Sequence, residues 1–244
     1  SITIGTISGD DVINKQEIGS ELIIGGTSKE IAEGTPVTVT LNGKNYPATI
    51  GADGAWSARV PATDLAAIVD GHYTVSVAVT DSAGNSGQDT HIVSVDTTPP
   101  VVSIETISGD DVINAAEKLL PLTIRGASSA EVGQTVTVTL GGKSWTAQVT
   151  SNGTWTLDVP ADALAALPQG KLTVTATVDD KAGNGGSTTR DITVDTTPPT
   201  VTIDKVAGDD AINSDEQKAG QTISGTADAE EGQVVTVTFN GHEY

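Results

Sequence analysis

Val37-Thr38-Val39-Thr40-Leu41-Asn42-Gly43-Lys44-Asn45-Tyr46-Pro47-Ala48-Thr49-Ile50 alternates apolar with polar or small side chains on both sides of Asn42-Gly43. A period of two suits a half-buried strand, and Asn-Gly tolerates the positive φ of a tight hairpin. Working outward, the same texture recurs at Ile2-Thr3-Ile4, at 22–24, 56–60, 73–79 and 91–95, with Asp53-Gly54 as a second turn signal. With 37–41 and 46–50 that makes seven short strands. One helix-like stretch, residues 62–68, is short enough to be a turn or two in a crossover. Seven strands in about 97 residues predict an all-β immunoglobulin-like sandwich.

The pattern then repeats with a period of about 99 residues. Ser8-Gly9-Asp10-Asp11-Val12-Ile13-Asn14 returns as Ser108-Gly109-Asp110-Asp111-Val112-Ile113-Asn114 and as Gly208-Asp209-Asp210-Ala211-Ile212-Asn213. Asp96-Thr97-Thr98-Pro99-Pro100 returns as Asp195-Thr196-Thr197-Pro198-Pro199, and Asp81-Ser82-Ala83-Gly84-Asn85 as Asp180-Lys181-Ala182-Gly183-Asn184. In the second unit Gly141-Gly142 and Asn152-Gly153 take the turn positions, and residues 161–167 the helical one. The expected organisation is a tandem array: repeats over 1–96 and 97–195, and the N-terminal half of a third over 196–244. The half-repeat, and a first residue that is not Met, suggest a piece of a longer array.

Composition narrows the chemistry. Thirty-two Asp and Glu against 12 Lys and Arg give a net charge of −20, which disfavours nucleic acid and anionic membrane surfaces. Cys and Met are absent, which excludes disulfides and thiolate metal sites. No apolar run approaches the length of a membrane span, so no membrane insertion is expected. The carboxylates point instead to a hard cation with oxygen ligands, Ca²⁺ first. Three His residues, His72, His91 and His242, sit at unrelated places in the repeats and read as surface strand positions rather than catalytic groups. Trp56 and Trp155, each after a hairpin turn, read as core plugs.

Strand order in such a sandwich predicts where the acidic loops go. The loop after the first strand lies at the far end of a repeat, beside the exit of its last strand. The second-to-third and sixth-to-seventh strand loops lie at the near end, facing the preceding repeat. Asp10, Asp11, Asn14 and Glu17 should therefore meet Asp96 and, across the joint, Glu131, Asp179 and Asp180. A second joint would gather Asp110, Asp111, Asn114, Glu117, Asp195, Asp228, Glu230 and Glu231. The equivalent loops carrying Asp81, Asp209 and Asp210 complete the candidate set. Two carboxylates 4 Å apart repel by about 4 kcal/mol at an effective dielectric near 20, so such joints are either splayed and hydrated or filled by a cation. Of Asp10 and Asp11, one side chain alone could face inward while the other caps a turn. The Thr-Thr-Pro-Pro linker is short and extended, close enough to let neighbours share a site.

These motifs together resemble the bacterial Ig-like repeats of giant surface adhesins, of the biofilm-associated and non-fimbrial kinds exported by type I secretion. The resemblance rests on Asp-Thr-Thr-Pro-Pro, Ser-Gly-Asp-Asp-Val-Ile-Asn, Gly-x-Trp and Asp-x-Ala-Gly-Asn and covers the whole chain. It implies Ca²⁺ at the joints, carried by the linker residues Asp96 and Asp195, the Asp10/Asp11 and Asp110/Asp111 loops and Asp180. It also implies an extracellular or cell-surface location and a monomeric, extended stalk serving cell adhesion and biofilm formation. The partners are then the neighbouring repeats, with host or bacterial surface ligands beyond them. The third repeat departs from the pattern, with Val206-Ala207-Gly208 for Ile-Ser-Gly. The alternative reading is a receptor- or glycan-binding Ig-like module of a surface protein; few aromatic residues are left over to build such a site.

Overall fold

The computed structural model describes residues 1–244 and divides into two compact units, Ser1–Val194 and Asp195–Tyr244. The first unit holds two β-sandwiches of the same design. In the first the chain runs β1 (Ile2–Ile4), β2 (Val12–Ile13), β3 (Leu22–Ser28), β4 (Pro36–Leu41), β5 (Lys44–Thr49) and β6 (Ala55–Val60). One helical turn, α1 (Ala62–Leu65), leads to a long hairpin of β7 (Gly71–Thr80) and β8 (Ser86–Val95). Three strands form one sheet in the order β1-β3-β6, and five form the other in the order β2-β8-β7-β4-β5.

The second sandwich repeats this with β9 (Val102–Ile104), β10 (Val112–Ile113), β11 (Leu122–Ser128), β12 (Thr135–Leu140), β13 (Lys143–Gln148), β14 (Thr154–Val159), α2 (Ala161–Ala165), β15 (Gly170–Asp179) and β16 (Gly185–Val194). Its sheets run β14-β11-β9 and β10-β16-β15-β12-β13.

Alternation places the core as the sequence predicts. Val37, Val39 and Leu41 point inward with Val75, Val77 and Val79 across from them, while the intervening Thr residues face out. Trp56 and Trp155 are buried plugs, at 3 % and 0 % exposure. Each lies over a glycine: a Cβ on Gly126 would stand 1.9 Å from the Ser103 carbonyl oxygen and 2.4 Å from the Trp155 ring. Asn42 and Gly43 have φ of 48° and 75°, the two positive values of a type I′ hairpin.

Each sandwich has one strand more than the seven expected. Val12–Ile13 and Val112–Ile113 leave the acidic loop to pair in parallel with the last strand, Ile13 beside Val95 and Ile113 beside Val194. The first strand thus begins in one sheet and finishes in the other. Two residues are too few to show a period, which is why the alternation does not reveal them. Ile13 and Ile113 are both 1 % exposed and anchor the loop in the core.

In the second unit β17 (Val201–Ile203) pairs with β18 (Gly225–Ala227), and β19 (Thr238–Phe239) with β20 (His242–Glu243). Its helix α3 (Ser214–Ala219) is capped by Asn213 and Glu216 in a reciprocal capping box. Ile203 and Phe239, whose counterparts Ile4 and Leu41 are buried, stand exposed here.

Candidate metal-binding joint

The Asp-Asp turn has the same geometry in all three repeats. The first Asp closes a turn on itself: Asp10 accepts from the Val12 N–H, Asp110 from Val112 and Asp209 from Ala211, each at 3.0 Å. The second sits in the left-handed region, with φ of 65° at Asp11, 64° at Asp111 and 67° at Asp210. Aspartate is among the few side chains that tolerate that region, because it bonds locally. Its carboxylate reaches back four residues, to the N–H of Ile7 (2.7 Å), Ile107 (2.9 Å) or Val206 (3.0 Å). Thus Asp11 and Asp111 turn toward their own sandwich, and Asp10 and Asp110 cap the turn.

A basic residue on the last strand completes the pin. His91 Nε2 lies 2.7 Å from Asp11 Oδ1, and Arg190 holds Asp111 through Nε and Nη2, both at 2.6 Å. The Ile7 N–H and then His91 hold the Asp11 carboxyl below its ordinary value; for Asp111 the Arg190 guanidinium is the larger cause. His91 and Arg190 are therefore equivalent, an equivalence hidden in the sequence by their different chemistry.

Asn14 and Glu17 cap the short 3-10 turn at Glu17–Gly19. Asn14 Oδ1 accepts from Gln16 and Glu17, and Glu17 returns a bond from the Asn14 N–H at 3.0 Å while its other oxygen takes the Ser8 hydroxyl at 2.6 Å. Asn114 and Glu117 repeat the exchange. Carboxylate oxygens carry lone pairs beyond those used here, so capping does not consume them.

Across the joint, the loop between β15 and β16 docks on the far end of the first sandwich. Asn184 is the centre of this contact. Its Oδ1 accepts from the Lys15 N–H at 2.8 Å, and its Nδ2 donates to the Asp96 carbonyl at 2.9 Å and to Asp180 at 3.0 Å. Asp180 preforms the loop by accepting the Asn184 N–H, and Glu131 braces it from the β11–β12 loop through the Lys181 N–H. Asp180, Ala182 and Asn184 are buried at 9 %, 7 % and 3 % exposure. The counterpart loop of the first repeat is folded alike, Asp81 accepting from the Asn85 N–H and Nδ2 and from the Ala83 N–H, yet Ala83 and Asn85 are exposed. Burial therefore comes from docking, not from the loop itself. Residue Asp179, at the end of β15, stays exposed.

The linker is fixed by a residue the sequence reading did not single out. Asp70 accepts from the Thr97 N–H (2.9 Å), the Thr97 hydroxyl (2.7 Å) and the Thr98 hydroxyl (2.6 Å). These donors, Thr98 foremost, hold its carboxyl below the ordinary value. Asp96 itself closes a turn on the Thr98 N–H, as Asp195 does on Thr197. Beside the linker an open cleft of about 550 Å³ is lined by Asp70, His72, Asp96, Glu131 and Lys181.

The loops expected to meet at the first joint do meet, and their donors are all oxygens, the chemistry that suits Ca²⁺. The side chains remain apart: no three His, Asp or Glu groups are close enough to hold an ion together. In the second unit Asp228, just after β18, accepts the N–H and hydroxyl of Thr200, just before the paired strand β17, and Glu230 and Glu231 lie in the turn that follows. No helix is long and apolar enough to cross a membrane.

Comparison with known proteins adds the relationship. The profile described as a bacterial Ig-like domain matches residues 5–97 and 105–196, and a second, bacterial Ig-like domain (group 3), matches 153–242. A solved structure of a Ca²⁺-stabilized adhesin that helps an Antarctic bacterium reach out and bind ice is 36 % identical, with a TM-score of 0.53. The match covers 100 % of this chain and 62 % of that one, so this chain spans less than two thirds of that relative. A 1.5-MDa bacterial ice-binding adhesin, solved for its retention at the host cell surface, is 34 % identical with a TM-score of 0.51, over 100 % of this chain and 81 % of its own. No curated protein matches the chain.

Proposed function

The chain belongs to the bacterial Ig-like domain family, a structural and non-enzymatic one, and from that premise we propose that it is a spacer segment of a cell-surface adhesin, stiffened by Ca²⁺ at its joints. The observation that carries the reading is Asn184, buried at 3 % and bonded to both the preceding sandwich and the linker carbonyl. A stalk needs joints that resist bending, and this one is closed by a preformed loop, a clamped linker and short Pro-restricted connections.

The residues that would hold the ion are Asp10, Asp11, Asn14, Glu17 and Asp96 of the first repeat with Glu131, Asp179 and Asp180 of the second. They supply carboxylate and amide oxygens from both sides of one joint. Calcium brought into their midst would offset the mutual repulsion of a chain with net charge −20. An ion that binds the docked joint better than the splayed one stabilises it in proportion to RT ln(1 + [Ca²⁺]/Kd). Extracellular calcium modules have Kd values of about 10⁻⁴–10⁻³ M, so external calcium would stiffen the string and cytosolic calcium would leave it pliant.

Small-angle scattering in EDTA and in about 1–5 mM Ca²⁺, above that Kd range, tests the proposal. The expected result is a longer maximum dimension and reduced interdomain flexibility with Ca²⁺ and not with Mg²⁺. Superimposable curves in the two buffers would rule calcium stiffening out.

A further inference from the structure

The two sandwiches differ at a place the joint does not use, the free edge of the five-stranded sheet. In each, the edge strand pairs on one side alone, β5 with β4 and β13 with β12. The Val149 N–H bonds to the Gln134 carbonyl and the Val149 carbonyl accepts from Gly133, both at 2.9 Å, so the Val149 backbone faces β12. Alternation along an antiparallel strand then turns Ala147 and Trp145 the same way. It leaves the N–H and C=O groups of Ser144, Thr146 and Gln148 facing outward. In the first repeat the position equivalent to Thr146 is Pro47, which has no N–H to offer a neighbouring strand. Proline is a common device for blunting an edge, and β13 lacks it.

Charge permits the same contact. From Val132 to Leu157 the sequence carries no Asp or Glu, and its one charge is Lys143. That span contains β12, β13 and most of β14. On an otherwise strongly acidic chain such a strip lets two copies approach without opposing carboxylates; Gly34–Ala52 of the first repeat is as free of acid, but there Pro47 blunts the edge that Thr146 leaves open.

We propose that β13 docks against β13 of a second copy of this chain, antiparallel, about a two-fold axis at Thr146. In that register Thr146 faces its own counterpart and Ser144 faces Gln148, so the three outward-facing residues bond to one another. The same register sets Trp145 beside Ala147 of the other copy, large against small. Both are half-buried here, where their first-repeat counterparts Tyr46 and Ala48 are buried. The two Lys143 residues go to opposite ends, each opposite Val149, so no like charges meet. An isologous contact of this kind closes on itself as a dimer. Two five-stranded sheets become one, and the paired repeats run in opposite directions, as arrays projecting from two facing surfaces would. A six-residue edge is a small contact, so the pair is weak alone and gains strength where several repeats engage together.

Sedimentation velocity on the full chain over a range reaching high concentration, in EDTA at about 0.15 M and 1 M NaCl, tests this independently of calcium. A dimer that forms with concentration and tightens in high salt, as repulsion between acidic copies is screened, is the expected result. Thr146→Pro, which grafts on what the first repeat carries naturally, is expected to return the chain to monomer with an unchanged melting temperature. Thr146→Asp keeps the N–H but sets two carboxylates across the axis, and is expected to weaken the dimer several-fold. A wild-type chain that stays monomeric in both salts overturns the proposal, and so does a dimer that survives both substitutions.

Discussion

An aspartate held in the left-handed region at the same place in three repeats is strained backbone unless its side chain repays the strain, and Asp11 and Asp111 do so with two partners each. One partner is the N–H four residues back; the other is His91 or Arg190 on the last strand. Asp70, clamping the linker threonines, works the same way. All three carboxyls are held below the ordinary aspartate value of 3.8. A depressed carboxyl contributes stability that is present above its unfolded pKa and lost as pH falls through the folded one. The melting temperature should therefore be level from neutral pH down toward about 5 and fall steadily below about 4. Equal melting temperatures at pH 6 and pH 3 would show that these pins carry no weight. The acidic turns themselves are legible in the sequence, and the structure gives Asp10 the turn cap and pins Asp11 to Ile7 and His91 of its own sandwich. Their partners are not legible, because His91 and Arg190 look unrelated and Asp70 lies far along the chain from Thr97.

At the scale of elements, the docked β15–β16 loop is a rigid plug built before it meets its socket. Asp180 and Asn184 fold it, as Asp81 and Asn85 fold its exposed twin. Asn184→Ala should thus loosen the joint, where it removes bonds to the Lys15 N–H and the Asp96 carbonyl. Each lost buried bond costs about 1–3 kcal/mol. Amide exchange at Lys15 is the measurement: it should quicken in Asn184→Ala and be unaltered in Asn85→Ala. If both variants leave it unaltered, the docking contact is not closed in solution. Strand positions, turns and the meeting of these loops follow from period, Asn-Gly chemistry and sandwich topology. Short β2 and β10 escape because they are too brief for a period and sit in a segment dominated by charge. The Asn14–Glu17 spacing is that of a capping box as much as of a ligand pair, and the structure uses it for capping.

For the whole molecule, the parallel seam between β2 and β8 has a mechanical meaning. Ser94 donates to the Asp11 carbonyl at 2.9 Å and Asp96 to the Ile13 carbonyl at 3.1 Å; in the second sandwich Thr193 donates to Asp111 at 2.8 Å. One strand of the seam comes in from the chain entry and the other leads out to the linker. Tension applied through the two ends of a repeat therefore pulls β2 and β8 past one another lengthwise, loading these bonds together instead of peeling them one by one. Single-molecule stretching should record one high-force rupture per sandwich, abolished in the first by Ile13→Pro, which removes the strand's place in the seam. A stalk assembled from such units would hold its length under drag up to a threshold and then yield one repeat at a time, dissipating the load without parting.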